Sequence, residues 1–339
     1  MQPNPDELIR INNLKVTFPL DEGTVQALDG VDLTIKKGKV LGVVGESGCG
    51  KSITARSILR IIPEPGQIVE GEIWLRTKIG SPDGQEHLLD LAQIDPSSEL
   101  MQQIRWGEIS MIFQEPMTSF SAYHTLGDQI SEAVLIHRQI SKHEARQLAI
   151  QMLERVGISN ATTRINQYPH EFSGGMRQRA MIAMALICNP SLLIADEPTT
   201  SLDVTIQAQM LDLMRNLRHD FGSSIMFITH NLGVIAQIAD EVSIMYLGKV
   251  VEHGKVKDIF HDPKHPYTMD LLNAIPKITG KRKDRLVAIE GNIPSPFDRV
   301  TGCPFHPRCS RVIRDVCELQ VPHSTDFGNG HTASCHLYS

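Results

Sequence analysis

Residues Gly45-Glu46-Ser47-Gly48-Cys49-Gly50-Lys51-Ser52 fit the pattern G-x-x-x-x-G-K-[ST] with no mismatch. That spacing serves the cradling of phosphate groups. Glycines let the backbone curl so that successive N–H groups face inward onto phosphate oxygens. A helix starting at the loop adds partial positive charge. Lys51 can then reach β- and γ-phosphates, and the Ser52 hydroxyl can hold Mg²⁺. A second constellation is Leu192-Leu193-Ile194-Ala195-Asp196-Glu197, four apolar residues followed by two acids. At the end of a strand, Asp196 can hold Mg²⁺ while Glu197 polarises or deprotonates an attacking water. The pair of motifs points to hydrolysis of a nucleoside triphosphate such as ATP. A phosphate-free glycine turn and a helix cap made by the two acids are the bland alternatives.

Phe172-Ser173-Gly174-Gly175-Met176-Arg177-Gln178-Arg179 places two glycines just ahead of a helix. That is another helix N-terminus with free N–H groups suited to an anion. One ATP does not need two such cradles in one chain. The arrangement therefore predicts ATP sandwiched between two protomers.

The elements that must position these residues are legible in outline. Val40 to Val44 reads as a buried parallel strand, and Ile53 to Ile61 as the helix after the loop. Residues 8–39 read as short alternating strands with turns at Asp21-Glu22-Gly23 and Lys37-Gly38, and 63–115 as strand-rich and polar. Apolar residues at three- and four-residue spacing, such as Ala149, Met152, Leu153 and Val156, predict helices from Leu126 to about Ala185. Strands are expected at Leu192–Ala195, Ile225–Thr229 and Val242–Leu247, and an amphipathic helix over Val204–His219. Lys281-Arg282-Lys283 reads as a solvated surface run, and Asn292-Ile293-Pro294-Ser295-Pro296 as a linker.

On these motifs the chain resembles the ATPase subunits of ABC transporters. Residues 173–177 resemble that family's signature, with Met176 where Gln is commonest. The resemblance implies further roles. Gln114, in Ile112-Phe113-Gln114-Glu115-Pro116, would be the glutamine that senses Mg²⁺ and the membrane partner. Ser201-Leu202-Asp203 would be the loop that touches the opposite protomer. His230 would contact the γ-phosphate. Phe18 is the candidate aromatic for stacking on adenine, with a core role as its alternative. The matching order of motifs covers roughly residues 10–250. It implies an α/β fold: a P-loop NTPase core of ABC type with an antiparallel β-subdomain, a helical subdomain at about 120–185, and a small cysteine-bearing C-terminal extension. The division expected is 1–254 for the ATPase domain and 255–339 for the extension.

The stretch His265-Pro266-Tyr267-Thr268-Met269-Asp270-Leu271-Leu272-Asn273-Ala274-Ile275-Pro276 resembles the extension of dipeptide and oligopeptide importer ATPases. So does Gly302-Cys303-Pro304-Phe305-His306-Pro307-Arg308-Cys309. Cys303, Cys309, Cys317 and Cys335 are separated by five, seven and seventeen residues. Zinc sites made of four cysteines usually contain a tight pair, and none occurs here. Thiolates at wider spacing can hold an iron–sulfur cluster, since a cubane is larger than one ion. Zinc and free or redox thiols stay open as alternatives. The resemblance also implies a [4Fe-4S] cluster. His306, His331 and His336 nearby read as bystanders. Cys49, at a helix N-terminus, is either a thiol with a lowered pKa or an inert filler. Cys188 reads as core.

The 339 residues, 41% apolar, can build a sizeable core, and the net charge of -6 argues against a dedicated nucleic-acid binder. The first residues, Met1 to Glu7, are polar, and no run of about 18 apolar residues occurs. The expected location is the cytoplasmic face of the membrane, held there by partners. The resemblance implies a second related ATPase subunit, two transmembrane permeases and an external substrate-binding protein. The expected activity is ATP hydrolysis that powers peptide import. Oligosaccharide or nickel import, a soluble ABC ATPase and a non-enzymatic metal-dependent regulator are the rival readings.

Overall fold

The computed structural model describes residues 4–339 apart from 82, 115–119, 201–202, 276–288, 296 and 299. Glu115-Pro116, Ser201-Leu202, Pro276 and Lys281-Arg282-Lys283 therefore lie outside the described residues. In chain order the elements are β1 (Glu7–Leu20), β2 (Gly23–Lys36), β3 (Val40–Val44), α1 (Lys51–Ile58), β4 (Gln67–Thr77), β5 (His87–Asp90), α2 (Glu99–Ile104) and β6 (Ile109–Ile112). Then come α3 (Leu126–His137), α4 (Lys142–Arg155), α5 (Ala161–Arg164), α6 (Gly174–Leu186), β7 (Leu192–Asp196), α7 (Val204–Phe221) and β8 (Ser224–Thr229). The chain closes with α8 (Leu232–Ile238), β9 (Glu241–Tyr246), β10 (Lys249–Lys255), α9 (Val256–His261), α10 (Pro266–Asn273), β11 (Ser324–Asp326) and β12 (Thr332–Ser334). It divides into two compact units, Met1–Ile9, Ile35–Lys39, Leu75–Ile228 and Arg10–Thr34, Val40–Trp74, Thr229–Ser339.

In the first unit β6, β7 and β8 run parallel, with Ile109 opposite Leu192 and Leu192 opposite Ser224. Their residues are uniformly buried, which is why they read as continuous apolar runs rather than alternating ones. The helices are set by their caps. Thr125 starts α3, Ser141 and Glu144 form a capping box on α4, Ser173 starts α6, and Asp203 starts α7. Gly222 ends α7 in the left-handed conformation at φ 67. The expectation that 63–115 is mainly strands is only partly met. Ser98 caps the short helix α2, whose amphipathic stretch is too brief to show a helical period.

In the second unit β2, β1 and β4 lie side by side. The 14-residue β1 and β2 are longer than the short strands expected. β3 pairs in parallel with β9, β9 with β10 antiparallel, and β12 with β10 antiparallel, Glu252 facing Ala333. The last strands of the chain thus extend the sheet that carries the phosphate loop. Phe305, Tyr267 and Tyr246 close this part of the core, with ring centroids 4.7 to 5.3 Å apart. Glu252 is fully buried and accepts from the N–H groups of Lys264 (2.7 Å) and His265 (2.9 Å) and pairs with His331 Nε2 (2.8 Å). So the extension has strand pairing, an aromatic core and a buried polar knot that contribute to its fold.

Candidate nucleotide site

The phosphate loop joins β3 to α1. The helix begins at Lys51, two residues earlier than expected, because Gly50 takes the N-cap position at φ 103, a conformation open to glycine. At Gly45 a side chain would sit 2.2 Å from the Met245 carbonyl oxygen, so the loop can lie against β9 only without a Cβ. Lys51 is buried, and its Nζ donates to the carbonyl oxygens of Gly45 (2.8 Å) and Glu46 (2.9 Å). It therefore braces the loop from within. Ser52 follows it in the first turn of α1. Beside Ser47 and Gly48 opens a cavity of about 820 Å³, lined also by Thr17, Val25, Ile293 and Asp298. Phe18 is half-buried and lies outside this lining, its ring packed where a Cβ of Gly66 would stand.

Cys49 is buried, and burial pushes its thiol up. That favours the inert filler over the activated thiol: desolvation outweighs the Lys51 ammonium beside it. Cys188 is buried as expected, its thiol donating to the Ala133 carbonyl at 3.3 Å.

In the first unit β7 delivers Asp196 and Glu197. Asp196 is buried at the strand's last position. Glu197 lies just past it at φ 47, a left-handed conformation a glutamate rarely adopts. Its N–H donates to the Ile228 carbonyl (2.9 Å). Its Oε2 accepts from Gln114 Nε2 (3.1 Å) and from the Thr200 hydroxyl (2.9 Å). Gln114 and Glu197, 83 positions apart, are thus brought together. Thr200 is a contributor the sequence reading did not name; its place four residues after Asp196 was the available signal. Ser173 caps α6 by accepting from Met176 N–H (3.4 Å), and a Cβ at Gly174 would meet nothing within 4 Å. Asp203 caps α7 through Ile206 N–H (2.9 Å).

In the second unit His230 is exposed directly after β8. Its neighbours fix the turn. Asn231 N–H donates to the Thr229 hydroxyl (3.1 Å), and the Asn231 side chain caps α8 at Gly233 N–H (2.9 Å).

Residues 28–200 match the family described as ABC transporter, which is half of the chain. The chain belongs to the ABC transporter family. Residues 251–317 match the family described as oligopeptide/dipeptide transporter, C-terminal region. The oligopeptide transport ATP-binding protein AppD of Bacillus subtilis is 47% identical over 98% of this chain and 97% of its own length. The oligopeptide transport ATP-binding protein OppD of Salmonella typhimurium is 43% identical over 98% and 95%. Among solved structures, the dimeric ATP-binding cassette MJ0796 matches 73% of this chain and 98% of its own at TM-score 0.61 and 25% identity. Its post-hydrolysis dimer with ADP and Pi matches at 0.62 and 24%, which speaks for the fold. No helix among the described residues is long and apolar enough to cross a membrane.

The family's C-terminal region carries the four cysteines. Cys303, Cys317 and Cys335 are buried and Cys309 is half-buried. Burial first, then repulsion among the sulfurs, raises three of the thiols, Cys303 to about 11. Each sulfur also meets a backbone N–H: Phe305 at Cys303, Arg311 at Cys309, Ile313 at Cys317 and Leu337 at Cys335. Among the described residues, no three His, Cys, Asp or Glu are gathered so as to hold a metal ion. The thiols influence one another electrostatically, but the expected four-cysteine metal site is not met among the described residues.

The sequence reading gave no role to Arg308 and Tyr267, which the structure brings to the phosphate loop. Arg308 meets the Glu46 carboxylate and Tyr267 Oη accepts from the Glu46 N–H. Their only signal was position, within the two stretches that resemble the importer extension.

Proposed function

We propose that this chain is the ATP-hydrolysing subunit of an ABC importer for dipeptides or oligopeptides. The observation that carries the reading is the Glu197 carboxylate at the end of β7, held by Gln114 and Thr200. A carboxylate with a fixed direction beside a metal-binding Asp196 suits activation of water. In this reading residues 45–52 hold the phosphates, with Ser52, Asp196 and Gln114 on Mg²⁺. Glu197 is the base, His230 the γ-phosphate contact, and Phe18 the adenine stack. Ser173, Gly174, Gly175 and Asp203 face a second, related ATPase subunit, which completes the site. The ATPase domain is 1–254, its helical subdomain about 120–185, and the extension 255–339.

The cargo follows from the full-length likeness to AppD and OppD, named for oligopeptide transport. Two membrane permeases and an external binding protein complete the assembly, and the chain works peripherally on the cytoplasmic face. The four cysteines hold a [4Fe-4S] cluster, with zinc as the alternative. Three buried sulfurs and a half-buried fourth, each meeting an N–H group, support a cluster over a single ion.

The test is uptake of a labelled tripeptide by cells lacking this chain, restored by the wild type and by the Glu197→Gln variant in turn. Uptake restored by the wild type alone supports the reading. Uptake of nickel or an oligosaccharide lost in its place moves the cargo to that class.

A further inference from the structure

The extension grips the phosphate loop at one residue. The Glu46 N–H donates to Tyr267 Oη at 3.0 Å. The Glu46 carboxylate takes both arms of the Arg308 guanidinium, at 2.6 and 3.1 Å, across 262 positions of sequence. The Arg308 side chain is 3% exposed and that of Glu46 24%. Arg308 also donates to the Tyr246 hydroxyl (3.4 Å) and the Glu290 carbonyl (3.2 Å).

The phosphate-loop pattern leaves position 46 unspecified, yet here it carries a negative charge. A carboxylate in a loop that receives a triphosphate opposes the ligand. Its neutralisation by a guanidinium removes that repulsion, and a two-armed pair also fixes geometry. Removing one partner of such a pair leaves the other charge uncompensated, which is costly at low exposure. The Glu46 carbonyl also accepts from Lys51, so the place of Glu46 bears on the place of the Lys51 ammonium.

We propose that Arg308 is a positioning residue for the phosphate loop. It neutralises and fixes Glu46, so that nucleotide affinity depends on the C-terminal extension. The proposal rests on the reading of residues 45–52 as the triphosphate site. It makes the extension part of the ATP machinery, where the family match alone marks a C-terminal region.

The test is a titration of the full-length protein with a fluorescent N-methylanthraniloyl ATP and Mg²⁺. The variants are Arg308→Ala, Arg308→Lys, Glu46→Gln and the Arg308→Ala/Glu46→Gln double, with Lys51→Ala as control and circular dichroism to confirm folding. Arg308→Ala is expected to weaken binding about tenfold against wild type, and Glu46→Gln, a change within the loop itself, sets its own reference affinity. In the Glu46→Gln background the cost of Arg308→Ala should shrink to about twofold or less, because the charge to be neutralised is gone. Arg308→Lys should fall between, keeping charge without the fork. An Arg308→Ala loss of equal size in both backgrounds would mark a merely structural residue and overturn the proposal. So would Arg308→Ala binding as tightly as wild type. A wild type that binds no better than Lys51→Ala would instead sink the reading of the loop, and the proposal with it.

Discussion

Gln114 Nε2 donates to Glu197 Oε2 at 3.1 Å, and the Glu197 backbone that presents this carboxylate is left-handed, at φ 47. A residue kept at φ 47 without being glycine stores local strain, and such strain gathers where chemistry needs a fixed direction. Thr200 adds a second donor to the same oxygen. The arrangement orients the carboxylate and ties it to Gln114, two residues beyond β6.

If Glu197 is the base, Glu197→Gln keeps the shape and removes proton acceptance. Phosphate release by the assembled transporter should fall at least about 100-fold. Binding of ATP should stay within about twofold, since the phosphate loop is untouched. Gln114→Ala should cost less, about tenfold, because it loses orientation and not the base. Single-turnover phosphate release and equilibrium binding measure both. Hydrolysis by Glu197→Gln at the wild-type rate would remove Glu197 from the role.

Gly174 offers a cleaner separation of fold from function. A Cβ there would meet nothing of its own chain within 4 Å, and acids are welcome in the first turn of a helix. Gly174→Asp should therefore leave the melting temperature of the isolated chain within about 2 °C of wild type. If that helix end faces the partner's ATP, the same variant should cut the ATPase rate of the assembled pair by at least about tenfold, by putting a charge against the γ-phosphate. An assembled pair with full activity would rule out the partner-facing role.

Much of this was written in local sequence. The strand, loop and helix around Lys51 follow from an apolar run, glycines and spacing, all within about a dozen residues of one another. Asp196 and Glu197 follow a four-residue apolar strand and were equally plain. What escaped lay in long-range contacts between ordinary residue types. Thr200 is one threonine among several until its hydroxyl meets Glu197. Arg308 is one arginine among several until it pairs with Glu46. The helix α2 escaped because a six-residue helix is shorter than two turns and shows no period. At Cys49 the sequence left an activated thiol and an inert filler open, because helix position is visible in sequence and burial is not.

That burial makes its own prediction. Cys49 is 3% exposed with its thiol pushed up, so little thiolate forms at neutral pH. Native protein treated with iodoacetamide at pH 7.5 should show no label at Cys49 by peptide mass spectrometry, while denatured protein labels fully. Rapid labelling of the native chain, with nucleotide protecting it, would restore the activated-thiol reading.

His265 should make the extension sensitive to mild acid. It is 1% exposed, its Nδ1 accepts from the Tyr267 N–H at 3.1 Å, and its Nε2 has no protein partner. The ring therefore carries its proton on Nε2 and is neutral. A second proton would have to displace the Tyr267 bond and place charge beside the Phe305 ring, 5.9 Å away. Burial holds its pKa down to about 3, against an ordinary 6.5. Between those values the unfolded chain binds a proton that the folded chain refuses. Stability from this group is therefore intact above about pH 6.5 and falls as pH drops below it, by up to about 1.4 kcal/mol per pH unit. His265→Asn keeps an acceptor for the Tyr267 N–H and removes the titration. Thermal melts of the two proteins from pH 7.5 to 4.5 should diverge in slope, the variant losing less Tm below pH 6.5 although it starts lower. Parallel curves would show that the acid sensitivity comes from elsewhere in the chain.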